Sequence, residues 1–143
     1  MKKVAFITGI TGMVGSHLAD FLIENTDWEI VGLIRWRSSL DNIRGLIENI
    51  NTKNRVRLVY GDLNDGISID NAIKESQPDY VFHLAAQSFP KTSFTAPLDT
   101  MNINIQGTTR LLESLKNYKH DAIIHVCSSS EVFGRVPKEK LPI

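Results

Sequence analysis

Thr8-Gly9-Ile10-Thr11-Gly12-Met13-Val14-Gly15 follows a short apolar run, Val4 to Thr8, and leads into Ser16-His17-Leu18-Ala19-Asp20-Phe21-Leu22, which has helical spacing. Three glycines at three-residue intervals between a strand and a helix carry separate tasks. Gly9 permits a tight turn, Gly12 lets backbone N–H groups approach a pyrophosphate, and Gly15 allows close helix–strand packing with the positive helix end facing the anion. The bland alternative is a flexible turn and nothing more. It leaves unused the strand before the turn and the amphipathic helix after it. Gly9, Thr11, Gly12, Met13, Val14 and Gly15 are therefore candidate cofactor-binding residues.

Outward from this turn the pattern repeats. Val4 to Thr8, Ile30 to Ile34, Val56 to Tyr60, Tyr80 to Leu84 and Ile123 to Cys127 read as strands, and their apolar continuity predicts burial on both faces. Gly15 to Asn25, about Ser39 to Asn49, Ile67 to Ser76 and Asp99 to Tyr118 read as crossover helices, with Asp65 and Asp99 placed as N-caps. This alternation predicts one α/β domain over residues 1–143, a Rossmann-like doubly wound parallel sheet in the order 3-2-1-4-5.

The bulk composition narrows the partners. Sixteen basic residues balance sixteen acidic ones, so no overall field favours nucleic acid or an anionic membrane, and a small-molecule partner is expected. A single cysteine, Cys127, excludes an internal disulfide, and no metal site is expected. The opening Met1-Lys2-Lys3 and Val4 to Ile7 imitate a signal peptide, but Thr8 and Gly9 end the apolar run too early. With no run near the ~20 apolar residues of a membrane helix, the cytoplasm is the expected compartment.

About 20 residues beyond the glycine turn, where an acid would hold the ribose 2′-hydroxyl of NAD, stands Arg35-Trp36-Arg37-Ser38-Ser39. A guanidinium fork matches phosphate oxygens, so Arg35, Arg37 and Ser38 point to NADP, with NAD the alternative. Arg37 also reads as a solvated surface charge.

Further pieces complete a recognisable series: Tyr60-Gly61-Asp62-Leu63, His83-Leu84-Ala85-Ala86-Gln87-Ser88, Ser93, Pro97, Asn104-Ile105-Gln106-Gly107-Thr108 and Ser128-Ser129-Ser130-Glu131-Val132-Phe133-Gly134. Together with the G-x-x-G-x-x-G spacing, they resemble the extended short-chain dehydrogenase/reductases over essentially the whole chain. Within that branch the chain looks most like GDP-mannose 4,6-dehydratases and their GDP-6-deoxyhexose reductase relatives, through Arg35 to Ser39, Ala86-Gln87-Ser88 and Ser129-Ser130-Glu131.

The resemblance implies contacts from Asp62 and Leu63 to the adenine, and from Leu84, Ala85, Ala86, Gln87 and Ser88 to the ribose and nicotinamide side. It implies that Ser129 hydrogen-bonds the sugar oxygen being oxidised and that Glu131 is the dehydratase base. In the family reaction, hydride passes from sugar C4 to NADP, the C5 proton is removed, water leaves C6, and hydride returns to C6. A nucleotide sugar, GDP-mannose foremost, would be the substrate. Two departures leave reductase or epimerase chemistry open: Asp99 stands in place of the family's tyrosine, and Asn104 in place of an aspartate. A stand-alone NADP-binding or regulatory module is the alternative from another class.

Structural readings accompany these roles. Asp62 also suits a turn cap, His83 packing at a strand end, Asn104 support of its helix, Cys127 the core, and Ser128 to Ser130 a polar strand end. The superfamily's Tyr-x-x-x-Lys pair, expected roughly 25 residues after the serine, would fall beyond Ile143, and none of Tyr60, Tyr80 and Tyr118 has lysine four residues on. The expectation is a sheet truncated after its fifth strand, no turnover by these residues alone, and homo-oligomers or edge pairing through strand 5.

Overall fold

Five segments rich in Val, Ile and Phe assemble into one parallel sheet in a computed structural model that describes residues 2–46 and 55–141. They are β1 (Val4–Thr8), β2 (Glu29–Ile34), β3 (Val56–Tyr60), β4 (Tyr80–His83) and β5 (Ile123–Val126), in the order β3-β2-β1-β4-β5. Ala5 pairs with Ile30 on one side and Tyr80 on the other, and Ile30 in turn with Val56. The expected strand order and parallel direction are those observed.

Alternation along each strand divides the core into two layers. Ala5 and Ile7 of β1 join Ile30, Ile34 and Val56 under Ala19 and Leu22 of α1 (Met13–Asn25), with Ile43 and Leu46 from a 3-10 helix at Asp41–Leu46. On the opposite face, Phe6, Val31, Leu33, Val59 and Val81 meet Ile69 and Ile73 of α2 (Gly66–Ser76) and Leu111 and Leu115 of a long C-terminal helix. Both layers therefore leave the carboxyl ends of the strands open along one rim, where ligands bind in such folds.

Several helices differ from expectation. The helix expected over Ser39 to Asn49 is a short 3-10 helix at Asp41–Leu46, kinked at Ile43, and the rest of that range lies outside the described residues. A further helix, α3 (Pro90–Thr95), starts on a proline and has no buried residue, so no apolar periodicity announced it. The last helix runs from Pro97 to Tyr118 as α4 (Pro97–Met101), a π-turn at Asn102–Gln106 and α5 (Gly107–Tyr118). Asp99 is not its N-cap: Pro97 already sets helical φ two residues earlier, and Asp99 falls inside the first turn. Asp65 does cap α2, accepting from the N–H groups of Ile67 at 3.0 Å and Ser68 at 3.5 Å.

Burial on both faces holds for β1 and β2 but not for β5, where Ile123 is 63% and Val126 40% exposed. The strand lies at the sheet edge, and α1 packs chiefly on β1 and β2, so only Ile124 reaches the core. Cys127 is exposed rather than packed in the core, because it follows the last residue of this uncovered strand. No helix among the described residues is long and apolar enough to cross a membrane.

One contact had no sequence signal. The Arg55 guanidinium donates to the carbonyls of Leu22, Ile23 and Thr26 at the C-terminal end of α1, and to that of Trp28 just beyond. It places a cation against the negative end of the helix dipole and satisfies carbonyls that have no intrahelical partner.

Candidate functional site

The glycine turn is shaped by contacts that exclude side chains. Gly9 takes φ +75°, and a Cβ there would lie 3.0 Å from the Ala85 nitrogen, so the turn presses directly on the chain leaving β4. Gly12 N–H closes the turn on Gly9 O at 2.9 Å. Gly15 is the tightest position, since a Cβ would stand 2.2 Å from Gly9 O. Its closeness is to the turn itself, not to the strand that was expected as its neighbour. Gly12 is the N-cap of α1 and offers no side chain, so the first-turn amides of Met13, Val14 and Gly15 face outward with the positive helix end.

A cleft of about 500 Å³ opens along the carboxyl rim beside this turn. It is lined by Gly9, Thr11 and Gly12, then Arg35 and Ser38 after β2, Asp62 and Leu63 after β3, and Leu84, Ala85, Ala86, Gln87 and Ser88 after β4. Thus four separate sequence segments are brought to one concavity. Met13, Val14 and Gly15 line the helix start behind it, while Arg37 is exposed and outside the lining. Leu33, Gly61, Phe89, Asp99 and Ile103 complete the wall and were not foreseen. Leu33 and Gly61 sit at strand ends beside foreseen residues, a signal that was available. Phe89, Asp99 and Ile103 arrive through α3 and the bent long helix, whose path no local pattern specified.

The arginine loop is a tight turn. Ser38 N–H donates to Arg35 O at 3.0 Å, and Ser38 Oγ accepts from Arg35 N–H at 3.1 Å, which sets both side chains on the cleft. The same loop is tied to the glycine turn, for Asn42 Nδ2 donates to Thr11 O at 2.8 Å. Trp36 is exposed and lies against Tyr60, with ring centroids 5.7 Å apart. Ser39, foremost among several groups, and Arg44 hold the Asp41 carboxyl below its usual range, an exposed cluster outside the cleft.

Asp62 serves the turn that it also suits: its Oδ1 accepts from Asn64 N–H at 2.9 Å while the residue lines the cleft. The Gln87 side chain ties its loop to α4, accepting from Phe89 N–H at 2.7 Å and donating to Thr100 Oγ1 at 3.1 Å. Asn104, on the π-turn, takes Gln87 at both main-chain atoms, accepting from its N–H at 2.8 Å and donating to its carbonyl at 3.0 Å.

Ser129 and Glu131 lie outside the cleft lining. Ser129 caps a short 3-10 turn, Ser130–Phe133, by accepting from Glu131 N–H at 3.2 Å, and both residues are exposed. The chain turns sharply on leaving β5, with Ser128 at φ +57°. Cys127 N–H still bonds His83 O at 3.2 Å, so this segment emerges beside the start of the Leu84 to Ser88 loop.

Comparison with known proteins agrees with this geometry. Residues 6–142 match the family model for GDP-mannose 4,6 dehydratase. The GDP-mannose 4,6-dehydratase of Vibrio cholerae serotype O1 is 40% identical over 145 residues, covering 94% of this chain and 37% of the relative. GDP-mannose 4,6 dehydratase 1 of Arabidopsis thaliana is 40% identical and the human enzyme 36%, again over 95% and 94% of this chain. The chain spans 37–40% of the length of these relatives.

Among solved structures, the PbgP3 protein of Burkholderia pseudomallei superposes with a TM-score of 0.79 over 97% of this chain and 43% of its own, at 24% identity, a likeness of fold. The UDP-glucose 4-epimerase of Thermus thermophilus, solved with NAD, gives a TM-score of 0.66 at 27% identity over 80% of this chain and 34% of its own. The glycine turn, the arginine loop and the 94–95% coverage by dehydratase relatives lead to one conclusion: this chain belongs to the GDP-mannose 4,6 dehydratase family.

Proposed function

We propose that these residues form the dinucleotide-binding part of a nucleotide-sugar 4,6-dehydratase acting on GDP-mannose, with NADP as the cofactor. The observation that carries the reading is the convergence of the glycine turn, Arg35 and Ser38, Asp62 and Leu63, and the Leu84 to Ser88 loop on one cleft. The donor set fits a dinucleotide. Uncapped amides at the start of α1 receive the pyrophosphate, and the absence of a Cβ at Gly12 leaves them open. Arg35, with no acid on its own loop, favours a 2′-phosphate over a free ribose hydroxyl, so NADP is preferred to NAD.

When bound, the nicotinamide ring supplies the hydride acceptor for sugar C4 and later the donor for C6. This chain's own residues hold and orient. Asp62 and Leu63 flank the adenine end, and the main chain of Leu84 to Ser88 runs along the other. Ser129 donates a hydrogen bond to the sugar C4 oxygen, and Glu131 takes the C5 proton. Their place two and four residues beyond Cys127, whose N–H bonds His83 O just before the Leu84 loop, supports these roles. These 143 residues contain no Tyr-x-x-x-Lys pair to exchange the sugar hydroxyl proton, so by themselves they bind cofactor without turnover.

Calorimetric titration with NADPH and NADH tests the binding half; failure to bind either defeats it. For the chemistry, these residues can replace the matching segment of the Vibrio cholerae relative. A hybrid that converts GDP-mannose to the 4-keto-6-deoxy sugar supports the dehydratase reading, whereas an epimerised or reduced product refutes it.

A further inference from the structure

His83 is 4% exposed, at the end of β4, and takes no part in the chemistry above. Its ring nevertheless sits in an unbroken chain of hydrogen bonds. Thr8 Oγ1 lies 2.8 Å from Nδ1, and Thr108 Oγ1 lies 3.0 Å from Nε2. Thr8 Oγ1 also accepts from the N–H groups of Leu84 and Ala85, each at 3.1 Å. At the other end Thr108 donates to Asn104 O at 2.8 Å, and Asn104 holds both main-chain atoms of Gln87.

The proton positions follow from the partners. Thr8 Oγ1 accepts from Ala85 N–H and shares Leu84 N–H with Thr8 O, which lies 3.3 Å from that nitrogen, so the acceptor its own hydrogen faces is His83 Nδ1. A neutral imidazole that accepts at Nδ1 donates at Nε2, here to Thr108, whose hydrogen is already directed at Asn104 O. Burial favours the neutral ring, lowering its pKa.

We infer that His83 is a positioning residue, held neutral with its proton on Nε2, which links the long helix to the Leu84 to Ser88 loop and so sets the cofactor wall from both ends. The inference rests on the cofactor reading for its consequence, not for its wiring. Remove the Thr108 hydroxyl, and Nε2–H has no acceptor in a buried site. The ring cannot mend this by moving its proton, since an Nδ1–H would take from the Thr8 hydroxyl its acceptor; the ring is instead released from the long helix, and the Thr8 hydroxyl that it orients is held less firmly against the Ala85 amide. Ala85 loosens beside Gly9 although Thr108 is not part of the cleft wall.

The test compares the unmodified chain with Thr108→Val and Thr108→Ser. Long-range proton–nitrogen NMR of His83 should show Nε2–H in all three, with its proton hydrogen-bonded in the unmodified chain and in Thr108→Ser, and in Thr108→Val shifted upfield and exchanging faster. In Thr108→Val the Ala85 amide should exchange about tenfold faster while Phe6, central in β1, is unchanged, and NADPH should bind about tenfold more weakly, the worth of one neutral hydrogen bond. Thr108→Ser should restore both. An Nδ1–H or cationic ring in the unmodified chain, or unchanged Ala85 exchange in Thr108→Val, overturns the inference. Failure of the unmodified chain to bind NADPH refutes the cofactor reading instead, and the ring and exchange measurements still decide the wiring.

Discussion

Gly15→Ala is the sharpest probe of the glycine turn, because the clash it creates is with main chain. The added Cβ would stand 2.2 Å from Gly9 O, and 2.8 Å from both Gly9 C and Ile10 Cα. Contacts between such atoms are comfortable at about 3.5 Å, so roughly 1 Å of movement is demanded of a turn that no rotamer change can open. The turn is hemmed in, for Gly9 lies against Ala85 and is joined to Gly12. Overpacking of this kind costs about 1–3 kcal/mol, less up to about 1 kcal/mol regained from alanine's helix propensity. Displacing the first-turn amides by that distance weakens charge-assisted bonds to a pyrophosphate, worth about 1.5–3 kcal/mol each. NADPH affinity should therefore fall at least about tenfold. Urea unfolding followed by circular dichroism, with calorimetric titration, reads both effects. Gly12→Ala, whose Cβ would meet Gly9 O at 3.2 Å, serves as the milder comparison in unfolding. A Gly15→Ala protein as stable as the parent, within about 0.5 kcal/mol, and equally good at binding NADPH would refute the account of this turn.

Other perturbations address other parts of the fold. Arg35→Asp should reverse the preference from NADPH towards NADH, since a carboxylate repels a 2′-phosphate and accepts from a ribose hydroxyl; equal titrations of parent and variant would count against the arginine loop. Asp65→Ala removes an N-cap that serves two amides and should cost about 1 kcal/mol, read as a lower urea midpoint with unchanged slope. Burial depresses the His83 pKa below the 6.5 of the unfolded chain, so its contribution is fully present above that pH and is lost as pH falls towards the folded value. The parent should lose stability on this acid limb more steeply than His83→Gln, and coincident pH profiles would show that another group is responsible.

The glycine turn, the strands and their order were legible because they rest on local physics. A tight strand-to-helix turn needs glycine at fixed spacing, and a parallel strand covered on both faces needs continuous apolar residues. Where the local pattern was incomplete, the reading was too. Ile123 and Val126 look like buried strand residues by composition, but whether a second layer covers them depends on where α1 packs. Cys127 shares that fate. Asp99 looked like a cap because aspartate is a good one, yet Pro97 had already begun the helix. The π-turn at Asn102–Gln106 leaves no composition signal, though it carries Asn104, which grips Gln87.

By itself, the sequence determined the class of fold, the glycine turn between the first strand and helix, and the family, since each depends on residue type at short range. The tertiary structure decided what those segments meet. It brought residues from four strand ends to a single cleft, set Gly15 against Gly9 O, placed the Arg55 cation at the end of α1, and joined Thr8, His83 and Thr108 across separations of 75 and 25 residues. Such contacts escape a reading of the chain because a hydrogen bond requires an approach within about 3 Å, and only the packing of both layers on one twisted sheet fixes distances so finely.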